Sequence, residues 1–371
     1  MLPTLRPARA ALAGLLWCAL LWAAAPAAQT TVVKYGADFL AAGVGARALG
    51  MGGAYVAHAG DVTAGYWNVA GLDRLRYPEG AYMHAERFGG IVAFDYAAVA
   101  VPLSGRSTVG VSFVRSAVDD IASTLAALNP DTGLPYPNPE NYITYFSAAD
   151  QALFVSYARQ VREGFALGAS AKVIRRGIGD FASAWGYSLD VGAQYRLGRV
   201  QLGAQLQDVT GMVQAWSVND AAFADFETVF GQDRPIGLTE VVLPVARLGA
   251  ASALPLTDDV GLTLAADLDL AFDGQRANLL SAGDVSLQPR VGGEVTYRDL
   301  VAFRAGLSNL TVSERYGTQV TPSVGVGLVL GPVSADYGFG DFGGVPGELG
   351  FAHRVSVTFR LAQERYARQE R

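Results

Sequence analysis

The chain has 371 residues, is 51% hydrophobic with a mean hydropathy of +0.23, and carries 44 glycines and 16 tyrosines, a balance foreign to most soluble exported proteins. Its 28 Lys and Arg against 34 Asp and Glu give a net charge of −6 with no basic run, which excludes nucleic acid as a partner. A single cysteine excludes a disulfide framework and a thiolate metal site.

Residues 1–27 have the layout of a cleaved signal peptide. Arg6 and Arg9 precede an uncharged run from Ala10 to Ala25, and Pro26 and Ala27 follow. The run falls short of the roughly 18 apolar residues a spanning helix requires. Cleavage after Ala27 removes Cys18, whose neighbour Trp17 is too bulky for a lipoprotein signal, and leaves 26 Lys and Arg against 34 Asp and Glu, about −8. Residues 28–76 are expected to form an amino-terminal plug segment, in which Tyr35 to Arg76 lacks strand alternation. Asp38-Phe39-Leu40 stopped by Gly43, and Asp61 as a cap for Val62 to Trp67, predict short helices in a compact plug.

From residue 77 to residue 360 the pattern is period two. Tyr187, Leu189, Val191, Ala193 and Tyr195 alternate with Ser188, Asp190, Gly192, Gln194 and Arg196. Val260, Leu262, Leu264, Ala266, Leu268 and Leu270 likewise oppose Gly261, Thr263, Ala265, Asp267 and Asp269. The same test gives 14 strands, near 79–87, 91–103, 107–115, 151–160, 164–176, 184–196, 199–208, 242–253, 259–270, 286–297, 300–309, 322–330, 332–340 and 351–360. Short turns such as Leu197-Gly198 and Arg298-Asp299 alternate with long connections such as Ser116–Asp150 and Val209–Val241, as in a barrel whose two ends are periplasmic. Only the hairpin at Phe88–Gly90 is short on the outer side. With no mature apolar stretch long enough for a helix, the expected fold is all-β: a transmembrane antiparallel up-and-down β-barrel of about 14 strands in the outer membrane, surrounded by its lipid.

A soluble β-sandwich also alternates, but Tyr96, Tyr157, Tyr187, Tyr195, Tyr297 and Tyr337 near strand ends fit interfacial girdles, and the outward face is nearly free of charge. The inward row holds Lys172, Asp190, Arg196, Asp267, Asp269, Glu294, Arg304 and Arg354. Residues 361–371 form a charged periplasmic tail.

The stretch from Gly45 to Leu72 resembles the amino-terminal signature of the PorV/PorQ proteins, within the wider superfamily of FadL-like outer-membrane barrels. The matching positions are Arg47; Gly50, Gly52 and Gly53; Tyr55; Asp61; Trp67-Asn68; and Ala70-Gly71-Leu72. Val69 stands where proline is usual. The resemblance implies a 14-stranded barrel and one of two roles, the first the leading expectation and the second its alternative. One is a component of type IX protein secretion, with secretion-system components or cargo bearing C-terminal sorting domains as partners. The other is uptake of a hydrophobic small-molecule ligand. From the residues alone, the glycines allow close approach of backbone to wall, and Arg47 needs a lumenal carboxylate such as Asp190, Asp267 or Glu294.

No enzyme signature accompanies this. His58, His84 and His353 lack metal-ligand spacing, so neither metal nor cofactor is expected. There is no GxSxG elbow or P-loop. Asp119-Asp120 and Asp258-Asp259 could serve an acid-catalysed hydrolase, but they read more simply as solvated loop carboxylates. The proline-rich loop Asn129–Asn141 reads as a stiff surface element.

Overall fold

The computed structural model describes residues 30–34, 36–129, 131–223, 233, 235–274, 280–313, 317–340, 352–363 and 366–368. The expected signal peptide and residues 341–351 lie outside these. Among the described residues no helix is long and apolar enough to cross a membrane.

Fourteen strands form one closed antiparallel ring. They are β1 (Glu79–Arg87), β2 (Val92–Ser104), β3 (Ser107–Ser123), β4 (Thr144–Arg162), β5 (Phe165–Ile178), β6 (Ala182–Leu197), β7 (Val200–Gln207, resumed at Met212–Val218), β8 (Thr239–Val242, resumed at Val245–Pro255), β9 (Val260–Ala271), β10 (Val285–Tyr297), β11 (Val301–Ser313), β12 (Gly317–Leu330), β13 (Val333–Gly340) and β14 (Ala352–Arg360). Closure is made by β14 against β1, with Arg354 opposite Ala85 and Val357 opposite Tyr82. A closed ring leaves no strand edge without hydrogen-bond partners, the condition for crossing lipid with strands.

Alternation sorts the two faces as the sequence requires. Val99, Val111, Val155, Leu189, Leu264, Phe303 and Val357 are exposed on the outside, while Ser188, Asp190, Asp267 and Arg354 are buried inside. Two expectations for the outer face fail. Tyr96 falls in the inward row, fully buried with its hydroxyl 3.3 Å from Ser112, so it belongs to no girdle. Nor is the outward face free of charge: Asp95 accepts from Tyr82 and pairs with His84 at 2.9 Å, Arg115 lies 3.8 Å away, and Arg175 stacks on Trp185. These groups stand at the outer ends of the apolar runs, where side chains meet headgroups and water.

Several strands outrun the sequence reading. β3 continues to Ser123 and β4 begins at Thr144, because pairing persists above the lipid after the apolar alternation that reveals it has ended. A bulge between Val118 and Ile121, with Asp120 at φ 56°, breaks the period there. Asp119 and Asp120 therefore lie in a bulged strand and not in a loop. β7 is interrupted at residues 208–211, where Asp208 and Gly211 take positive φ, and β8 at 243–244, where Pro244 has no N–H to give. Pairing resumes beyond both breaks, Met212 opposite Val242 and Ala215 opposite Thr239.

The amino-terminal segment enters from the outer half of the wall, where Thr30–Val32 pairs in parallel with Thr239–Val241. It then descends inside the ring through three short helices, α1 (Asp38–Ala41), α2 (Ala46–Gly50) and α3 (Ala64–Trp67), and a 3-10 turn at Val69–Arg74. α2 packs on β11 to β14, and the 3-10 turn on β3 to β6. Eight strands meet the segment with an inward glycine: Gly168, Gly192, Gly203, Gly249, Gly292, Gly306, Gly325 and Gly338. A Cβ at Gly203 would stand 2.6 Å from the Val56 carbonyl oxygen, and one at Gly338 2.7 Å from that of Ala46. At Gly292 and Gly306 it would overlap the backbone of Met51 and Gly52. The segment thus rests backbone to backbone on a glycine belt, which closes the space that 14 strands would otherwise leave wet.

At the lower exit the carboxy-terminal tail folds back. Arg368 donates its backbone N–H to the Arg76 carbonyl at 2.7 Å and pairs its side chain with Asp73 at 2.6 Å.

Candidate functional site in the barrel lumen

The signature residues form one hydrogen-bonded unit. Arg47, on α2, makes a two-point pair with Glu294 of β10, at 2.9 Å from Nε and 2.6 Å from Nη2. Glu294 also accepts from Arg304 at 2.6 Å, and Arg304 reaches Asp336 at 2.7 Å. Of the three carboxylates offered to Arg47 by the sequence, Glu294 is the one in contact. Asp267 instead accepts the backbone N–H groups of Tyr55 (2.6 Å) and Val56 (2.8 Å), and Asp190 pairs with Lys172 (2.9 Å).

The Tyr55 hydroxyl donates to Asp61 at 2.6 Å, and Thr63 donates to Asp61 through both its N–H and its hydroxyl. Asp61 therefore shapes a turn ahead of α3, which begins only at Ala64, and does not cap a helix from Val62. Burial raises the Tyr55 pKa well above the usual phenol value, which keeps the proton on its oxygen. Burial would also raise Asp61, but Arg47 and the hydrogen bonds from Thr63 and Tyr55 outweigh it and hold this carboxyl below its ordinary value. His58, 2.9 Å from Arg47, is driven down to about 3, first by burial and then by Arg47 and Arg74.

The remaining signature residues set backbone geometry. Gly52 and Gly53 take φ of 65° and 74°, and Gly50 lies against Gly325 of the wall. Gly71 leaves room for the Ala59 carbonyl, and Leu72 is fully buried beside Gly110. Trp67 donates to the Val44 carbonyl at 2.9 Å. Asn68 donates to the carbonyls of Val56 and Ala193, both at 3.0 Å, joining segment to wall. Val69 gives its N–H to Gln205 at 3.3 Å, a bond that proline at this position could not make.

Among the other lumenal residues, Arg354 is fully buried and donates to the carbonyls of Gly45 (3.3 Å) and Ala42 (3.1 Å). Arg196 continues the inward row but lies exposed beside the short turn at Leu197-Gly198. Gln194, Gln205, Met83 and Ser356 also hold the segment. Each lies on the inward row, the signal that could have identified it.

Above this unit lies a cavity of about 80 Å³. Leu40 and Tyr66 of the segment line it with Phe154, Val242, Arg247 and Arg290 of the wall, next to the break in β7 and β8. Asp269 bridges the two arginines, at 3.3 Å from Arg247 and 2.7 Å from Arg290. Among the described residues no group of His, Cys, Asp and Glu has the arrangement of a metal site.

The fold resembles those of solved hydrocarbon channels and toluene transporters. The monoaromatic hydrocarbon channel CymD matches with a TM-score of 0.52 at 13% identity, over 89% of this chain and 99% of that one. The Pseudomonas putida toluene transporter TodX matches at 0.53 and 12%, over 87% and 100%. The Ralstonia pickettii toluene transporter TbuX matches at 0.50 and 12%, over 86% and 98%. At such identities the likeness is one of fold. No protein-family model matches the sequence, and no curated protein does.

Proposed function

We propose that this barrel is an outer-membrane channel that admits small, largely hydrophobic molecules and has no enzymatic activity. The observation that carries the reading is the cavity, closed below by the segment on its glycine belt and walled partly by Leu40, Tyr66, Phe154 and Val242. A cavity of this size is below the roughly 300–1,000 Å³ of drug-sized ligand sites, so it suits a molecule of a few carbons or one ring. The likeness in fold to channels named for toluene and monoaromatic hydrocarbons supports the same reading. Uptake of a radiolabelled monoaromatic compound by cells expressing the chain, compared with cells that do not, tests it. Equal uptake would overturn it.

A second reading rests on the Gly45–Leu72 stretch, whose likeness to the PorV/PorQ signature points to type IX secretion. Deleting the gene and analysing secreted proteins separates the two. Loss of cargo with C-terminal sorting domains would favour secretion; unchanged export would leave the channel.

A further inference from the structure

The rim of short turns at one end of the barrel is unevenly charged. On the three consecutive turns that join β2 to β3, β4 to β5 and β6 to β7, residues 104–107, 159–165 and 195–200 hold Arg106, Arg159, Arg162, Arg196 and Arg199 against the single acid Glu163, although the chain as a whole is acidic. All five arginines are exposed. The described ion pairs at this end, Arg298 with Asp259 and Arg360 with Glu79, lie elsewhere on the rim. Main-chain bonds tie the three turns into one surface: Gln160 donates its N–H to the Arg106 carbonyl at 2.9 Å, and Arg196 to that of Gly164 at 2.8 Å. Across the ring, the turns at 256–259 and 298–300 hold Asp258, Asp259 and Asp299 with Arg298 alone, so the rim has a basic sector and an acidic one.

The basic sector reaches the outer wall. Arg159 continues the outward row of Val155 and Tyr157, and the Arg162 guanidinium lies 5.5 Å from the ring centres of both Phe165 and Tyr195. Rings hold that cation by its face, and its edge is left for a two-point bond to a phosphate. Leu167 stands opposite Arg159 and Leu202 opposite Tyr195, both exposed on the wall. Cations beside rings and aliphatic side chains at the edge of the apolar band match a lipid with an anionic head and tails lying on the wall. An acidic protein in the aqueous phase would meet the turn tips, but it would have to displace the headgroup layer to meet Arg159 and Arg162.

We propose that this sector binds an anionic phospholipid, its phosphate on Arg159 and Arg162 and its tails along Leu167 and Leu202, with Arg106, Arg196 and Arg199 adding to the field that attracts it. A zwitterionic lipid has the same phosphate but brings a cation with it, which the surplus of arginines repels. The inference rests on the barrel wall and is independent of the channel reading.

The test uses the mature chain in non-ionic detergent with equimolar phosphatidylglycerol and phosphatidylcholine of identical acyl chains, the bound lipids being counted by native mass spectrometry. Phosphatidylglycerol is expected to be retained roughly tenfold over phosphatidylcholine. Arg159→Gln and Arg162→Gln should each lower its retention about fivefold, the worth of one basic residue at an anionic surface. Arg298→Gln, on the opposite sector, should leave it unchanged. Should either of the first two variants fail to fold, the lipid ratio on the unaltered chain and on Arg298→Gln still decides. Equal retention of the two lipids, a preference that survives both substitutions, or one lost equally in Arg298→Gln would overturn the proposal. So would displacement of phosphatidylglycerol by an equimolar oligo-glutamate peptide, the mark of a protein site, or by equimolar inorganic phosphate, the mark of a site for the free ion.

Discussion

Glu294 takes hydrogen bonds from Arg47 and Arg304 while almost fully buried, so its removal takes the shared acceptor from two guanidinium groups and leaves Arg304 with Asp336 alone. Breaking a buried pair from one side costs about 3–5 kcal/mol. Glu294→Ala should lower the urea stability of the refolded barrel by that order, whereas Asp259→Ala, at the exposed pair with Arg298, should change it by less than about 1 kcal/mol. His58 adds a pH dependence. Its folded pKa near 3 lies below the ordinary 6.5, so below pH 6.5 the unfolded chain binds a proton that the folded one refuses. Stability should therefore fall as pH drops from 6.5 towards 3, and Asp61, also held low, steepens the loss at the acid end. Urea titrations at pH 7 and pH 4 check this, with His58→Gln expected to flatten much of the difference. Alternation placed Asp190, Asp267 and Glu294 on the inner face, but choosing among them needed each residue's height and angle around the ring. A strand pattern read one strand at a time does not contain that information.

The glycine belt governs how the segment sits against the wall. Gly306→Val would force a side chain into the backbone of Met51 and Gly52 and lift the segment from its seat. The expected result is a correctly inserted barrel with raised leak of small hydrophilic solutes, measured by liposome swelling. Gly177→Ala, where an added Cβ meets nothing within 4 Å, should leave permeability unchanged. The strands were legible wherever one face met lipid, as from Tyr187 to Tyr195. Their outer extensions past Arg115 were not, because both faces of a strand above the membrane are wet and the apolar signal disappears. The belt was legible in principle, as an inward glycine on strand after strand, but glycine is neutral in a hydrophobic alternation and passes unnoticed there. The Val209–Val241 connection hid the upper halves of β7 and β8, since positive φ at Asp208 and the missing N–H of Pro244 end each strand before its pattern resumes.

As a whole, the molecule couples a closed wall to an internal seal and a carboxy-terminal tail that returns to it. Arg368→Ala removes the pair with Asp73 and should make the tail of the purified barrel more accessible to added protease, with little effect on barrel stability. The barrel architecture was readable from the sequence; the role was divided, because the Gly45–Leu72 stretch is built for seating the segment and such a seat serves secretion or uptake equally. The cavity beside Arg247, assembled from six strands and the segment, has no contiguous sequence signature. The most direct measurement of the channel reading is entry of a radiolabelled monoaromatic compound into liposomes containing the purified mature chain. Entry well above that into protein-free liposomes, and raised further by Gly306→Val, is the expected result. Entry equal to that of protein-free liposomes would contradict it.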